Sequence, residues 1–244
     1  MMHAWGATDI GLVRKENQDA YLIHETPSRT VCVVCDGMGG SAGGQLASQI
    51  ATKVFMDEVE KVLTPEMELE QLRSACAYAV SLANNAIRSA AEENEDYRNM
   101  GTTLVAAVSY QGGVVITNVG DSRAYHICEN GITRVTKDHS LVERMVDRGD
   151  ITAEEARRHP NRNLITRALG PDADAQCDGY ICPMKAGEYL LLCTDGLVNT
   201  VTDQEMLFEV IHRGSPDSCL DRLLEISKSQ GAPDNVTVVL MQKL

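Results

Sequence analysis

The sequence predicts an α+β fold in which antiparallel β-sheets are covered on the outside by helices. Short apolar strands follow one another as in hairpins, for example TTLVAAVSY (102–110) and GVVITNVG (113–120). Paired amphipathic helices lie between groups of strands, and the strict strand–helix alternation of a parallel doubly wound sheet is absent. No repeat or low-complexity linker divides the 244 residues, so we expect a single domain over residues 1–244.

The first half of the chain is predicted to form three strands and two long helices. Strands are expected at residues 3–10 and 19–25, and TVCVVC (30–35) predicts a buried strand. Apolar residues then recur at helical spacing from Gln45 to Val62. Thr64-Pro65-Glu66 is expected to begin the second helix, with proline at its first helical position.

The second half is predicted to form hairpins, short helices and two further buried strands. Turns are expected at Gln111-Gly112-Gly113 and at Glu129-Asn130-Gly131. Capping boxes that open helices are expected at Ser140 with Glu143, Thr152 with Glu155, and Thr202 with Glu205. The remaining elements are the strands RAYHIC (123–128), GITRVT (131–136), EYLLLC (188–193) and NVTVVLM (235–241), and a helix over 216–230.

The composition excludes several classes of partner. The formal net charge of −13 argues against a nucleic-acid partner, which requires clustered lysine and arginine. No apolar run approaches the roughly 20 residues that span a bilayer, and the amino terminus has no secretory signal pattern. We therefore expect a cytoplasmic protein that binds neither nucleic acid nor membrane.

The eight cysteines are scattered along the chain and do not form a zinc-site pattern. Cys32 and Cys35 form a C-x-x-C pair, which is compatible with zinc or redox chemistry. Residues three apart on a strand point to opposite faces, and no second pair follows at zinc-ribbon spacing. Buried thiols are the favoured interpretation.

Four aspartates lie at the rims of apolar strands, each beside a glycine or asparagine that turns the backbone. Asp36, Asp121 and Asp195 end strands, and Asp234 immediately precedes the last one. In antiparallel sheets, the start of one strand lies at the same edge as the end of its neighbour, so the four carboxylates are expected to share one pocket. Any one of them alone would be interpreted as a turn residue, but together they favour a cation site. An all-oxygen ligand set favours Mg²⁺ or Mn²⁺ over zinc.

Three further motifs bear on phosphate chemistry. Arg14, in GLVRKENQDAY, is a candidate for binding an anionic substrate, because its planar guanidinium matches phosphate geometry. The glycine-rich GGSAGG lacks the G-K-[ST] of a P-loop. HICENGITR matches the pattern of cysteine-dependent phosphatases through Cys128 and Arg134, but that chemistry needs a loop that opens a helix. Here the segment predicts a hairpin, which disfavours the cysteine mechanism.

The chain resembles the metal-dependent protein phosphatases of the type 2C serine/threonine family, in their short bacterial form. The resemblance covers essentially the whole sequence and rests on motifs that occur in order: RKENQDAY, VCDGMGG, GTTLVAA, GDSRAY, DHSLVERMVDRGDI, NLITRALG, CTDGL and DNVTVV. It implies a four-layer α-β-β-α sandwich, made of two antiparallel sheets with helices packed outside. It also implies a binuclear Mn²⁺ or Mg²⁺ centre at one end of the sandwich.

The resemblance implies metal-binding roles for five positions. Asp36 would bridge two cations, and the carbonyl of Gly37 would bind one of them. Asp195 and Asp234 would complete the other site. Asp121, together with Asp195, matches a weaker third-metal site.

The resemblance also assigns residues around the metals. Asp19 would support the metal-bound waters, and Arg14 would bind the substrate phosphate. The glycines at 37, 39 and 40 would let backbone and bound water approach the cations.

The proton donor stays open, because the chain departs from the family pattern there. Met38 and Ser41 stand where many relatives have a histidine. Water or His159 is the alternative donor, although His159 is best interpreted as an exposed loop residue. Residues 138–165 would form a flap beside the site that influences substrate choice.

The implied function is hydrolysis of phosphoserine and phosphothreonine in proteins by a metal-activated water, without a covalent phosphoenzyme. The implied partners are phosphorylated proteins, including a bacterial serine/threonine kinase that the enzyme would oppose, and the implied state is a monomer. Two alternatives remain: a catalytically silent regulator that binds phosphoproteins, and a phosphatase acting on small molecules or on an anti-sigma-factor antagonist.

Overall fold

The strands are divided between two sheets. The computed structural model describes residues 1–40, 43–64, 67–110, 113–212 and 214–244. The strands are β1 (Met2–Asp9), β2 (Asp19–Thr26), β3 (Arg29–Met38), β4 (Gly101–Thr102), β5 (Leu104–Tyr110), β6 (Gly113–Val119), β7 (Arg123–Cys128), β8 (Gly131–Arg134), β9 (Asp178–Pro183), β10 (Tyr189–Cys193) and β11 (Val236–Lys243).

Two long helices lie in the first half of the chain and shorter ones follow. The α-helices are α1 (Gly43–Val62), α2 (Leu69–Glu93), α3 (Leu141–Arg148), α4 (Ala153–Arg158), α5 (Asp195–Val198), α6 (Asp203–His212) and α7 (Pro216–Ser229). A 3₁₀ turn at Glu95–Tyr97 follows α2. None of the described helices combines the length and the apolar character needed to cross a bilayer.

Both sheets are antiparallel, as predicted. The first has the order β1-β11-β10-β7-β8, so that β11 lies between β1 and β10. The second has the order β2-β3-β5-β6-β9, and β4 pairs with β3 outside this path.

Three hydrophobic cores separate the four layers. The middle core lies between the sheets and joins Val34 and Ile116 of one to Leu192 and Val239 of the other. An outer core packs α1 and α2 against the second sheet. The other outer core packs α5, α6 and α7 against the first sheet, for example through Leu223. The four-layer α-β-β-α sandwich is therefore confirmed.

The two cysteines of the C-x-x-C pair lie in different cores. Cys32 belongs to the core between the sheets, and Cys35 belongs to the core under α1 and α2. This follows from the two-residue period of a strand. All eight cysteines are free thiols, and the buried-thiol interpretation of the pair is confirmed.

The hairpin prediction is confirmed where it bears on the chemistry. Cys128 ends β7 and pairs with Gly131 at the start of β8, so Glu129 and Asn130 form a two-residue loop. Strand β8, and not a helix, comes directly after this loop, and Arg134 donates to Glu143 at 2.9 Å. The cysteine-dependent alternative therefore lacks the backbone that it requires. Of the other predicted turn, Gln111-Gly112 lies outside the described residues.

Two predicted capping boxes form completely and one forms by half. Thr152 accepts from the amide of Glu155, whose carboxylate accepts in return, and Thr202 forms the same pair with Glu205. Ser140 accepts from the amide of Glu143 at 3.2 Å, but the carboxylate of Glu143 pairs with Arg134 instead.

The predicted start of the second helix was wrong. Helix α2 begins at Leu69, and Glu68 N donates to the side chain of Gln71 at 2.9 Å, as at a helix start. Thr64 is not helical, while Pro65-Glu66 lies outside the described residues.

Strand β9 was not predicted. Its sequence DGYICP contains glycine and ends in proline, and its residues are mostly half-buried. A strand at the edge of a sheet has only one paired side and often lacks a clear apolar pattern.

Candidate metal centre

Five aspartates surround one edge of the sandwich. Burial raises the pKa of Asp36 well above its usual value, and the charges of Asp19, Asp195, Asp121 and Asp234 raise it further. Carboxylates influence one another in this way only when they lie close together. The structure thus brings together the four strand-end carboxylates of the sequence analysis and adds Asp19.

Hydroxyl groups fix the backbone of Asp36. The amide of Asp36 donates to Thr103 Oγ1 at 2.9 Å, and the carbonyl of Asp36 accepts from Thr102 Oγ1 at 2.8 Å. Thr103 Oγ1 also lies 2.7 Å from Ser122 Oγ, in the residue after Asp121. A chain of hydroxyls therefore links the end of β3 to the turn that bears Asp121.

Asp19 is buried opposite Asp36, and only one of its two carboxylate oxygens accepts hydrogen bonds from the described residues. It pairs with Asp36 across β2 and β3, and its Oδ2 accepts from Thr194 at 2.9 Å and from Thr237 at 2.7 Å. Its Oδ1 is buried with no hydrogen-bond partner among the described residues. Burial raises the pKa of Asp19 to about 7, although the two hydroxyls oppose the shift.

Asp195 has a similar one-sided environment. It begins α5 directly after β10, and its Oδ2 accepts from Asn199 at 3.1 Å. Its Oδ1 is buried and unpartnered within the described residues. Burial, and next the charge of Asp234, raise the pKa of Asp195. Burial, and next the charge of Asp195, raise the pKa of Asp121 to about 8.

Arg14 lies at the open side of this cluster. Its Nη2 donates to Asp234 Oδ2 at 2.7 Å, and the two side chains are 55% and 32% exposed. The charges of Asp36 and Asp195 also raise the pKa of Arg14, after the hydrogen bond to Asp234. The guanidinium of Arg14 is therefore charged and accessible to solvent beside these carboxylates.

Asn235 attaches the loop that bears Arg14 to the start of β11. Its Nδ2 donates to the carbonyls of Ile10 and Glu16 at 2.9 and 3.0 Å, and its Oδ1 accepts from Gln18 N at 2.9 Å. From the sequence, Asn235 was assigned only to the strand NVTVVLM and to the motif DNVTVV. Its role depends on contacts with residues more than 200 positions away, which no local pattern reveals.

Close backbone packing requires a glycine at position 37. A Cβ at Gly37 would collide with the carbonyl of Gly44 at the start of α1, and would lie 2.6 Å from the carbonyl of Gln18. The amide of Gly37 donates to that Gln18 carbonyl at 3.2 Å. Close approach of β3, α1 and the Arg14 loop therefore explains this glycine without the cations that the sequence analysis invoked.

A second polar residue that the sequence analysis missed is His139, just before α3. Its Nδ1 accepts from Gly120 N at 3.1 Å, which leaves the proton of the neutral ring on Nε2, 3.2 Å from Asp178 Oδ2. Arg167 donates to the same carboxylate at 3.0 Å, and Thr166 N donates to the carbonyl of His139 at 2.6 Å. Burial lowers the pKa of His139. This cluster, centred on the buried His139, connects the turn before Asp121 with the segments on either side of residues 140–165 and with β9.

Three positions bear on the identity of the proton donor, and the structure describes two of them, Met38 and His159. Ser41 lies outside the described residues, and Met38 ends β3. His159 Nδ1 accepts from Asn161 N at 3.1 Å, which is the local contact of a loop residue.

The cluster is a set of neighbouring carboxylates rather than a closed cage. Within the described ranges, no three His, Cys, Asp or Glu side chains are arranged as ligands of one ion. Mutual repulsion and the ion pair between Arg14 and Asp234 are sufficient physical reasons for this separation.

Comparisons with known proteins identify what the chain is similar to. The family model described as Protein phosphatase 2C matches residues 13–225. The serine/threonine phosphatase stp of Listeria welshimeri is 36% identical over 99% of this chain and 96% of that protein. The serine/threonine protein phosphatase PstP of Mycobacterium tuberculosis is 37% identical over 96% of this chain and 43% of that protein.

Solved structures show the same similarity. The crystal structure of the serine/threonine phosphatase Stp1 from Staphylococcus aureus matches with a TM-score of 0.93 and 36% identity, over 100% of this chain and 96% of that one. The catalytic domain of PstP, in complex with two manganese ions, matches with a TM-score of 0.82 and 32% identity, over 99% and 97% of the two chains.

Proposed function

The chain belongs to the protein phosphatase 2C family and is a metal-dependent serine/threonine protein phosphatase, and on this premise we propose that the carboxylates around Asp36 form its cation site. The observation that supports this most directly is the grouping of Asp36 with four other carboxylates, whose charges raise its pKa. A folded protein that gathers so many buried and half-buried acidic groups at one edge needs a compensating positive charge.

The donor set fits a hard divalent cation. Every candidate side chain offers oxygen, which suits Mn²⁺ and Mg²⁺. Asp19 Oδ1 and Asp195 Oδ1 are buried acceptors with no hydrogen-bond partner among the described residues. Buried polar atoms are normally satisfied, so each of these oxygens is free for a water or an ion.

We assign the ligands as the family resemblance implies. Asp36 would be shared by two cations, and the carbonyl of Gly37 would bind one of them. Asp195 and Asp234 would complete the other site, and Asp121 would join Asp195 in a weaker third. Two strongly bound cations per chain are supported by the related PstP domain, whose structure contains two manganese ions.

Different residues of the chain would then have different roles in hydrolysis. Bound cations lower the pKa of water and neutralise charge on a phosphoryl group. Asp19, fixed by Thr194 and Thr237 through Oδ2, leaves Oδ1 to accept a hydrogen bond from the attacking water. Arg14, on a loop anchored by Asn235, binds the substrate phosphate with its planar guanidinium.

We propose that the attack on phosphorus is direct and that no phosphoenzyme forms. Cys128, the candidate nucleophile that a sequence motif indicated, belongs to the β7–β8 hairpin. Water is the proposed proton donor for the leaving alcohol, because His159 is bonded locally to Asn161.

The substrates are phosphoproteins, and we propose that they include targets of a serine/threonine kinase that the enzyme opposes in signalling. We further propose a monomer with one domain over residues 1–244 and a flap at 138–165. The flap is supported at its base by the bridge between Ser140 and Ile165. Eight free thiols agree with a reducing compartment such as the cytoplasm.

The test is hydrolysis of matched phosphothreonine and phosphotyrosine peptides by the purified protein, with Mn²⁺, with Mg²⁺ and with chelator. We expect turnover of the phosphothreonine peptide only with a divalent cation. Full turnover in chelator would contradict the cation site. Tight binding of the peptide without turnover under any condition would instead indicate the silent regulator.

A further inference from the structure

Three large apolar side chains are exposed in one short loop beside Arg14. Leu12 is 62% exposed, Val13 is 67% exposed and Ile10 is 39% exposed. Single exposed apolar residues are ordinary on protein surfaces, whereas several that adjoin one another indicate an interaction surface. We call the side chains of Leu12 and Val13 the apolar patch.

The loop under the apolar patch is rigidly attached. Leu12 N donates to the carbonyl of Ala232 at 2.9 Å, and Gly11 N donates to Asp9 Oδ1 at 2.9 Å. Asn235 holds the carbonyls of Ile10 and Glu16, one on each side of the patch. The backbone is thus fixed by hydrogen bonds while the two apolar side chains remain in solvent. Such an arrangement binds a ligand without the entropic cost of ordering the loop.

The apolar patch directly adjoins Arg14 in the chain. Consecutive Cα atoms are about 3.8 Å apart, so Val13 and Leu12 lie roughly one and two residue lengths from Arg14 along the chain. The residues that precede or follow a phosphoresidue lie at the same separations from it. When the phosphate is bound by Arg14, these neighbours are within range of the patch.

Charge favours an apolar occupant over an acidic one. The chain has a formal net charge of −13, and the cluster around Asp36 adds negative charge at this edge. The guanidinium of Arg14 is the group that we assign to the phosphate, so an additional acidic side chain in the peptide would meet mainly repulsion.

From these observations we propose that Leu12 and Val13 select substrates in which an apolar side chain lies one or two positions from the phosphoresidue. The partner is a phosphoprotein segment with leucine, isoleucine, valine or methionine beside its phosphothreonine or phosphoserine. This proposal rests on the proposed function, in which Arg14 binds the phosphate.

The test compares two phosphothreonine peptides of equal length and charge, with leucines or with asparagines beside the phosphoresidue. The enzyme with Mn²⁺ is assayed as wild type and as the double variant Leu12→Asn/Val13→Thr, and para-nitrophenyl phosphate serves as a substrate without flanking residues. Leu22→Asn is the matched control, because Leu22 is also exposed but lies on β2 outside the loop.

We expect wild type and Leu22→Asn to prefer the leucine peptide in kcat/KM on the order of tenfold, as for an apolar contact of a few methylene groups. The double variant should lose this preference and retain hydrolysis of para-nitrophenyl phosphate. An unchanged preference in the double variant would overturn the proposal, and so would an equal loss on all three substrates, which would show that the patch only supports Arg14. Absence of hydrolysis by the wild type would overturn the proposed function and this inference with it.

Discussion

Asp36 lies among four other carboxylates, and its own charge is the one that both proposed cations would share. Asp36→Asn removes that charge and replaces one ligand oxygen by an amide. We expect binding of Mn²⁺, measured by calorimetry, to weaken strongly and hydrolysis to nearly stop. The fold should persist in circular dichroism, because the hydroxyl contacts of residue 36 involve its backbone.

Cys128→Ser is the control that separates the two phosphatase chemistries. Cys128 lies at the end of β7 in a hairpin, so we expect activity close to that of wild type. A dead Cys128→Ser protein alongside an active Asp36→Asn protein would contradict the metal mechanism and favour the thiol.

Arg14 is the second residue whose replacement has a distinct kinetic signature. Arg14→Ala removes a bidentate charged contact worth about 1.5–3 kcal/mol, so KM should rise by roughly tenfold to a hundredfold. The Arg14–Asp234 pair is exposed, and its loss should have little effect on stability. Arg14→Lys, which keeps the charge but not the planar fork, should give an intermediate KM. An unchanged KM in both variants would place the phosphate elsewhere.

At the scale of single elements, the loop over residues 10–18 is held in place by the side chain of Asn235, in the turn before β11. Asn235→Ala deletes three hydrogen bonds to this loop, which together stabilise the protein by about 2–4 kcal/mol. We expect a lower free energy of unfolding in urea and a raised KM, because Arg14 is no longer positioned. Asn161→Ala, at an exposed loop of the flap, should change neither quantity. Equal effects of the two variants would contradict the anchoring role of Asn235.

The sequence predicted those elements whose signals are local. Alternation and apolar runs identified the buried strands, and threonine–glutamate pairs identified the starts of α4 and α6. Strand β9 was not predicted because an edge strand needs only one neighbouring strand and shows only a weak alternation of apolar and polar residues. The start of α2 was misplaced because proline indicates a permitted first position and does not by itself nucleate a helix.

The site divides in the same way. The carboxylates could be grouped from the sequence because each one stands at the rim of an apolar strand, and antiparallel pairing brings such rims together. Asn235 and His139 could not be found, since their importance lies in hydrogen bonds to segments far away in the chain. A lone asparagine or histidine looks the same in sequence whether it anchors a loop or lies in solvent.

At the scale of the whole molecule, the buried carboxylates make stability depend on pH in the metal-free protein. Burial raises the pKa of Asp121 to about 8 from an ordinary 3.8. Between these values the folded protein retains a proton that the unfolded chain releases, so the free energy of unfolding falls as pH rises. Asp121→Asn does not ionise. In urea denaturation with chelator, its stability relative to wild type should therefore increase from pH 4 to pH 8. A difference that stays constant over this range would contradict the raised pKa of Asp121.

The position of β11 in its sheet also has a consequence for how the protein is synthesised. Among the strands of both sheets, β11 is translated last, yet it lies between β1 and β10. At about 5–20 residues per second, β1 waits roughly 11–45 s for its neighbour to emerge from the ribosome. During that time its unpaired edge and apolar face are available to chaperones or to other nascent chains. Asp234 and Asn235 directly precede β11, so the first sheet, the last carboxylate and the anchor of the Arg14 loop are all completed by the same segment of the chain.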